Sequence, residues 1–149
     1  MTDKWDKRFM NVAREISTWS KDPSTKIGAI IVNDERRILA TGYNGFPKGI
    51  EDTDERLYNK EQKYTRVIHA EMNALMNALY NGVSVKDSTL YVWGLPVCSE
   101  CAKNVIQAGI KRVVIPDYEV IDLRWEKVWL TKSQPMFEEA GLQISYLEL

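Results

Sequence analysis

One histidine, His69, and two cysteines, Cys98 and Cys101, make up all the imidazole and thiol in this 149-residue chain. His69 lies in His69-Ala70-Glu71, at the head of an apolar helical run. Cys98 and Cys101 follow 29 residues later, after a strand-like segment, as a Cys-x-x-Cys pair. Three soft or borderline ligands suit zinc, and a structural zinc normally takes four. The sequence has no fourth Cys or His, so a zinc held here keeps one position for water unless a carboxylate or a second subunit fills it. An open position marks a catalytic zinc. Glu71, two residues from the histidine, is a ready proton shuttle for that water. The competing reading is a redox dithiol, which leaves His69 and Glu71 unexplained.

The elements around these residues must bring them together. The Cys98–Cys101 spacing, at the start of a helix, puts both sulfurs on one face, about 60° apart around the axis. The helix N-terminus favours negative charge and so favours thiolates. His69 likewise opens a helix. Positions two apart lie on nearly opposite helix faces, so His69 and Glu71 share a cavity only beyond the helix end, with His69 in the first turn. The geometry inferred is two helix N-termini facing one another across a zinc.

Hydrophobic periodicity supplies the scaffold. Trp5, Phe9, Val12, Ile16 and Trp19 form a helical core-facing stripe that ends at Asp22-Pro23-Ser24. Residues 27–32 form an apolar run typical of a strand covered on both faces, and 37–43 pair with it as a hairpin. Residues 44–63 read as a long polar loop, of the kind that is usually functional. A helix over 69–80 closes at Asn81-Gly82; a strand over 89–93, a helix over 99–108 and a strand over 111–115 follow. Helical pattern over 125–130, a short helix capped by Ser133 with Pro135 as its first residue, and a strand over 142–147 complete the chain. The order predicts one α/β domain spanning 1–149, with an antiparallel first hairpin and parallel strands four and five in a five-stranded mixed sheet.

The totals set limits. Hydrophobic content of 44% and charged content of 28% are ordinary for a globular protein, and a formal net charge of -1 argues against a long nucleic-acid track. No apolar run approaches a membrane span, and the charged N-terminus lacks a signal-peptide core, so the expectation is a cytoplasmic protein with reduced thiols.

His-x-Glu followed by Pro and Cys-x-x-Cys resembles the signature of the zinc-dependent nucleobase deaminases. The chain looks like the deoxycytidylate (dCMP) deaminase branch over nearly its whole length. Residues 20–29 (SKDPSTKIGA), 41–49 (TGYNGFPKG), 67–74 (VIHAEMNA) and 98–103 (CSECAK) carry the likeness. It departs at Pro96-Val97-Cys98, where one residue is inserted and a local bulge is expected. Ile50 and the lack of spare Cys or His predict that a second, structural zinc of some members is absent.

The resemblance implies a cytidine deaminase-like three-layer α/β/α fold and hydrolysis of dCMP to dUMP, supplying dTTP synthesis. It implies one catalytic Zn2+ on His69, Cys98 and Cys101, with Glu71 as the catalytic acid/base. It further implies that Asn44 holds the sugar hydroxyl and that the Ala70 backbone N–H meets the base carbonyl. A turn role for Asn44 in Asn-Gly is an equal alternative. Ser24, Thr25 and Lys26 are candidates for the 5′-phosphate, against a role in ending the helix and starting the strand. Tyr118 is a candidate to cover the base. In this branch dCTP activates and dTTP inhibits at a subunit interface of a hexamer, with Mg2+ accompanying the triphosphate. Gly45, Phe46, Pro47, Lys48 and Gly49 resemble part of that effector site, with Glu61, Lys63 and Arg66 as further candidates. Other free nucleosides or nucleotides (cytidine, dCTP, guanine) and a non-catalytic zinc module remain alternatives.

Overall fold

The computed structural model describes residues 3–117 and 123–148. Five strands form one sheet in the order β2-β1-β3-β4-β5. β1 (Gly28–Val32) runs antiparallel to both β2 (Ile38–Tyr43) and β3 (Thr89–Trp93). β4 (Arg112–Pro116) and β5 (Gln143–Leu147) then add in parallel. The hairpin, the parallel pair and the mixed sheet agree with the pattern read from the sequence. The antiparallel β1–β3 neighbours are an arrangement that the order of elements leaves undetermined.

Alternation along the strands divides the core into two layers. Ile30, Val32, Tyr91, Val114 and Leu147 meet α1 (Asp3–Ser17) on one face. Ala29, Ile31, Leu90, Val92, Val113 and Ile115 meet α4 (Ala70–Tyr80), α5 (Ser99–Gln107) and the C-terminal helical run on the other. β1 is buried at every position, which is why its sequence is apolar without alternation. Two glycines set the helix-to-sheet spacing. A Cβ at Gly28 would stand 2.0 Å from the Ala13 carbonyl oxygen, and one at Gly42 would stand 2.3 Å from the Ala74 nitrogen. Each helix backbone thus lies directly on the sheet. Asn73 and Asn77 then donate from α4 to the carbonyls of Tyr43 and Thr41, both at 2.7 Å.

Three elements differ from expectation. α1 stops at Ser17, and Trp19 is exposed rather than part of the core stripe. The segment 44–63 is not one loop: α2 (Asp54–Tyr58) and α3 (Lys60–Arg66) occupy its second half. Thr53 and Asn59 cap them, their side chains accepting from the backbone N–H of Arg56 and Gln62. Near the C-terminus, α6 (Leu123–Val128), a π-helical turn (Trp129–Ser133) and α7 (Gln134–Glu139) form one continuous run. Ser133 therefore has helical dihedrals and makes no cap bond. The Gln134 N–H donates to the Trp129 carbonyl five residues back, immediately before Pro135, which has no N–H to give.

Candidate active site

The site forms where α4 and α5 begin. His69 is the N-cap of α4 rather than part of its first turn, with extended dihedrals (φ -67, ψ 154) that swing its ring off the helix end. Cys98 is the N-cap of α5, and its sulfur accepts from the Cys101 N–H at 3.5 Å. A backbone bridge between Gly45 and Ile68, with N···O distances of 3.1 and 2.8 Å, fixes the chain just before His69. The residue inserted before Cys98 falls in the connection after β3, not in the strand: the β1–β3 register runs unbroken from Thr89 to Trp93. No bulge is needed there. Val97 is fully buried in the core, and Pro96 lines a separate cavity beside Trp129.

The donor set fits zinc. The His69 Nδ1 lies 3.3 Å from the Cys98 Sγ and 3.4 Å from the Cys101 Sγ. All three ligand atoms fall within 4.8 Å of one another. Tetrahedral zinc with ordinary Zn–N and Zn–S bonds separates such atoms by about 3.5 Å. Without a metal these groups share protons. The Cys98 thiol is drawn down to about 4, first by hydrogen bonding with Cys101 and then by His69, against the effect of burial. The Cys101 thiol is pushed up, first by its bond to Cys98 and then by burial. The His69 imidazole is raised, chiefly by Cys98. A divalent cation would replace these protons as the partner of both sulfurs.

Glu71 lies one turn-position inside α4, only 3% exposed, and its Oε1 has no hydrogen-bond partner. Burial pushes its carboxyl up to about 7, with the charge of Cys98 adding to the rise and that of His69 opposing it. A buried carboxyl that exchanges a proton near neutrality, beside three groups placed to hold a metal ion, is equipment that suits a metal-dependent hydrolase.

A cavity of about 480 Å³ opens onto His69. Ile27, Val67, Leu95 and Trp125 give it apolar walls, and Asp22, Ser24, Thr25, Asn44, Lys60, Lys63 and Tyr64 give it polar ones. Asn44 is 4% exposed and fully oriented: its Oδ1 accepts from the Ile27 N–H, and its Nδ2 donates to the Thr25 carbonyl and the Asp22 carboxylate. Its φ is not positive, so it does not serve as a left-handed turn residue. Lys26 does not line the cavity; its ammonium donates to the Ser20 carbonyl. Lys63, read from the sequence with the effector residues, lines this cavity instead. Lys60, Tyr64 and Trp125 escaped the sequence reading. Lys60 lies in the segment 44–63 that reads as loop, Tyr64 falls just beyond it with no element assigned, and Trp125 carries only a helical pattern. Tyr118 lies outside the described residues. Of the other effector candidates, Gly45 and Phe46 line a neighbouring cavity of about 160 Å³. Lys48, Gly49 and Glu61 are exposed, Pro47 is half-buried, and Arg66 donates to the Gln62 carbonyl within its own helix.

Residues 3–116 match the family model of the cytidine and deoxycytidylate deaminase zinc-binding region. The deoxycytidylate deaminase of Mus musculus is 47% identical over 144 residues, covering 93% of this chain and 77% of that protein. A deaminase of Aliivibrio fischeri, described as lying in the luxG 3' region, is 40% identical over 154 aligned positions, covering 100% of this chain and 97% of that one. The crystal structure of dCMP deaminase from the cyanophage S-TIM5 in complex with dCMP and dUMP matches with a TM-score of 0.77 at 26% identity, covering 100% of this chain and 99% of that one. The chain belongs to the cytidine and deoxycytidylate deaminase family of zinc-binding enzymes.

Proposed function

We propose that this protein hydrolyses dCMP to dUMP and ammonia, supplying dUMP for dTTP synthesis. The observation that carries the reading is convergence: His69 clusters with Cys98 and Cys101, the buried Glu71 lies two residues along the chain, and His69 itself lines a cavity of about 480 Å³. The relatives named deoxycytidylate deaminase support the choice of substrate.

Zinc held by the one imidazole and two thiolates would supply a nucleophilic water at neutral pH. Glu71 takes the proton of that water and delivers it to ring nitrogen 3 of the cytosine. A C4–O bond forms as the ring nitrogen gains its proton. Glu71 then takes the proton of the new C4 hydroxyl and passes it to the amino group, and the C4=O bond forms as the C4–N bond breaks and ammonia leaves. The Ala70 N–H, at the first position of α4, binds the base carbonyl. Asn44 has one acceptor lone pair remaining on Oδ1, which takes the sugar hydroxyl. Ser24 and Thr25 face the 5′-phosphate.

Ammonia release by zinc-loaded protein from dCMP, dCTP, cytidine and guanine tests the reading. Preference for dCMP supports it, and preference for any of the others replaces it. Response to dCTP and dTTP, an accompanying Mg2+ and a hexamer rest on the family resemblance, and a cytoplasmic location rests on the charged N-terminus and the Cys-x-x-Cys pair. Assays of dCMP turnover with each triphosphate, with and without Mg2+, test the first two. No helix among the described residues is long and apolar enough to cross a membrane. For the oligomer, the exposed Met76 and Leu79 beside the half-buried Met72 offer a contact face on α4. Leu79→Glu is expected to lower the molar mass measured by light scattering, and an unchanged mass would exclude that face.

A further inference from the structure

His69 opens α4 without capping it. Its ring is turned toward Cys98 and Cys101, and its side chain makes no cap hydrogen bond. An N-cap side chain normally secures the first turn of a helix. The helix start that carries both His69 and Glu71 is therefore held by other contacts.

Asn73 supplies them. Its backbone N–H donates to the His69 carbonyl at 2.9 Å. Its Nδ2 donates to the Tyr43 carbonyl at 2.7 Å and, more weakly, to the Ile68 carbonyl at 3.5 Å. Tyr43 directly precedes Asn44, and Ile68 directly precedes His69. One amide thus ties together the two segments that carry the residue assigned to the sugar and the residue assigned to the metal. The backbone bridge between Gly45 and Ile68 joins the same two segments just beyond Asn44. Asn77, one turn further along α4, offers a comparison. It donates to the Thr41 carbonyl, also at 2.7 Å. Anchoring α4 on β2 explains that bond and the bond from Asn73 to Tyr43. It does not explain the contact of Asn73 with Ile68, which lies outside the helix.

The Asn44 side chain is itself held on both its oxygen and its nitrogen, so it cannot swing to follow a displaced ligand. A nucleotide spans only a narrow range of distance between its sugar hydroxyl and ring C4. Asn44 can hold the hydroxyl while the metal centre meets C4 only if the two segments keep the matching separation. In dCMP the 3′-hydroxyl is the one free hydroxyl of the sugar. We propose that Asn73 is a positioning residue that sets the separation of Asn44 and His69, and so makes the 3′-hydroxyl count toward turnover. Asn73 acts through those two residues and touches neither substrate nor metal. This inference rests on the deaminase reading above and on the place of Asn44 in it.

The test compares dCMP with its 2′,3′-dideoxy analogue as substrates for the zinc-loaded wild type, Asn73→Ala and Asn77→Ala. Rates are taken per bound zinc, and the thermal midpoint of each protein is measured. Asn73→Asp, which keeps the shape and removes the donor, serves if Asn73→Ala fails to fold. A misplacement of about 1 Å can cost on the order of 100-fold in rate. Asn73→Ala is expected to lower kcat for dCMP about 10- to 100-fold and kcat for the analogue much less, so that the preference for dCMP collapses. KM for dCMP should change less than kcat. Asn77→Ala should lower the thermal midpoint to a similar extent and keep the wild-type preference. Equal losses for the two substrates in Asn73→Ala, or the same collapse in Asn77→Ala, would overturn the proposal. So would a wild type that deaminates the two compounds equally well, since the hydroxyl then does nothing for turnover. If the wild type deaminates neither compound, the deaminase reading fails. Calorimetric titration of the zinc-loaded proteins then judges the positioning by itself: tighter binding of dCMP than of the analogue, lost in Asn73→Ala and kept in Asn77→Ala, upholds it, and any other pattern overturns it.

Discussion

A buried carboxyl oxygen without a partner costs stability, and the Glu71 Oε1 bears that cost in the first turn of α4, whose N-cap His69 makes no side-chain cap bond. Replacing Glu71 by Met in metal-free protein is therefore expected to raise the thermal midpoint, recovering about 1–3 kcal/mol. A lower midpoint in a calorimetric scan would show that the carboxyl supports the fold. Asp6 is the opposite case. Burial alone would raise its carboxyl, but hydrogen bonds from Arg112 and Tyr91 and the charge of Arg112 bring it below the usual value. The guanidinium grips it at 3.0 and 2.6 Å, on the sheet face away from the metal ligands. A lowered folded-state pKa adds stability that is fully present above the unfolded value near ~3.9 and is lost as pH falls through the folded one. Asp6→Ala, which strands Arg112, is expected to cost about 3–5 kcal/mol at pH 7. Urea melts at pH 7 and pH 3 should show the gap to wild type narrowing in acid, and a gap independent of pH would refute the assignment. At this scale the clustering of His69, Cys98 and Cys101 was legible because the chain holds so few groups of their type. Lys63 was not, because several lysines flank the loop and only tertiary packing decides which one turns inward.

Helices and strands carry these groups to one point through close packing rather than through long side chains. Gly42 is the sharpest instance, since α4 lies against it so closely that any Cβ would meet helix backbone. Gly42→Val must push α4 away from β2 and carry His69 and Glu71 with it. It is expected to destabilise the fold by roughly 3 kcal/mol and to lower zinc content. Thermal unfolding and metal analysis check this, and a folded variant with full zinc would show that the contact does not position the site. The same scale shows where the sequence could be read and where it could not. Strands with an alternating or continuous apolar pattern, and the three long helices, stand out by periodicity. α2 and α3 are five and seven residues long, too short for a periodic signal. Their caps are nonetheless written in the chain, as Thr53 directly before Asp54-Glu55 and Asn59 two residues before Glu61. Ser133 before Pro135 offers the opposite lesson: a cap signature in sequence, overridden by a helix that continues through a π-helical turn.

The whole molecule places its chemistry on one edge. β1, central to the hairpin and next to β3, ties the Asn44 end of β2 to the strand that leads to Cys98. Strand order was beyond the sequence because it depends on how crossovers pack, not on any one segment. Once the order is set, the helix N-termini of α4 and α5 meet, and the cavity with Lys63 and Asn44 forms above them. Removing either sulfur should empty this arrangement of its metal: Cys101→Ser is expected to lose most bound zinc by metal analysis, and full retention would exclude that residue as a ligand. The most direct measurement is ammonia release from dCMP by zinc-loaded wild type and by Glu71→Gln, with zinc determined in both. The account predicts one zinc per chain in each protein and a fall in turnover of about 100- to 10,000-fold in the variant. A variant that keeps its zinc and deaminates dCMP at the wild-type rate would contradict it.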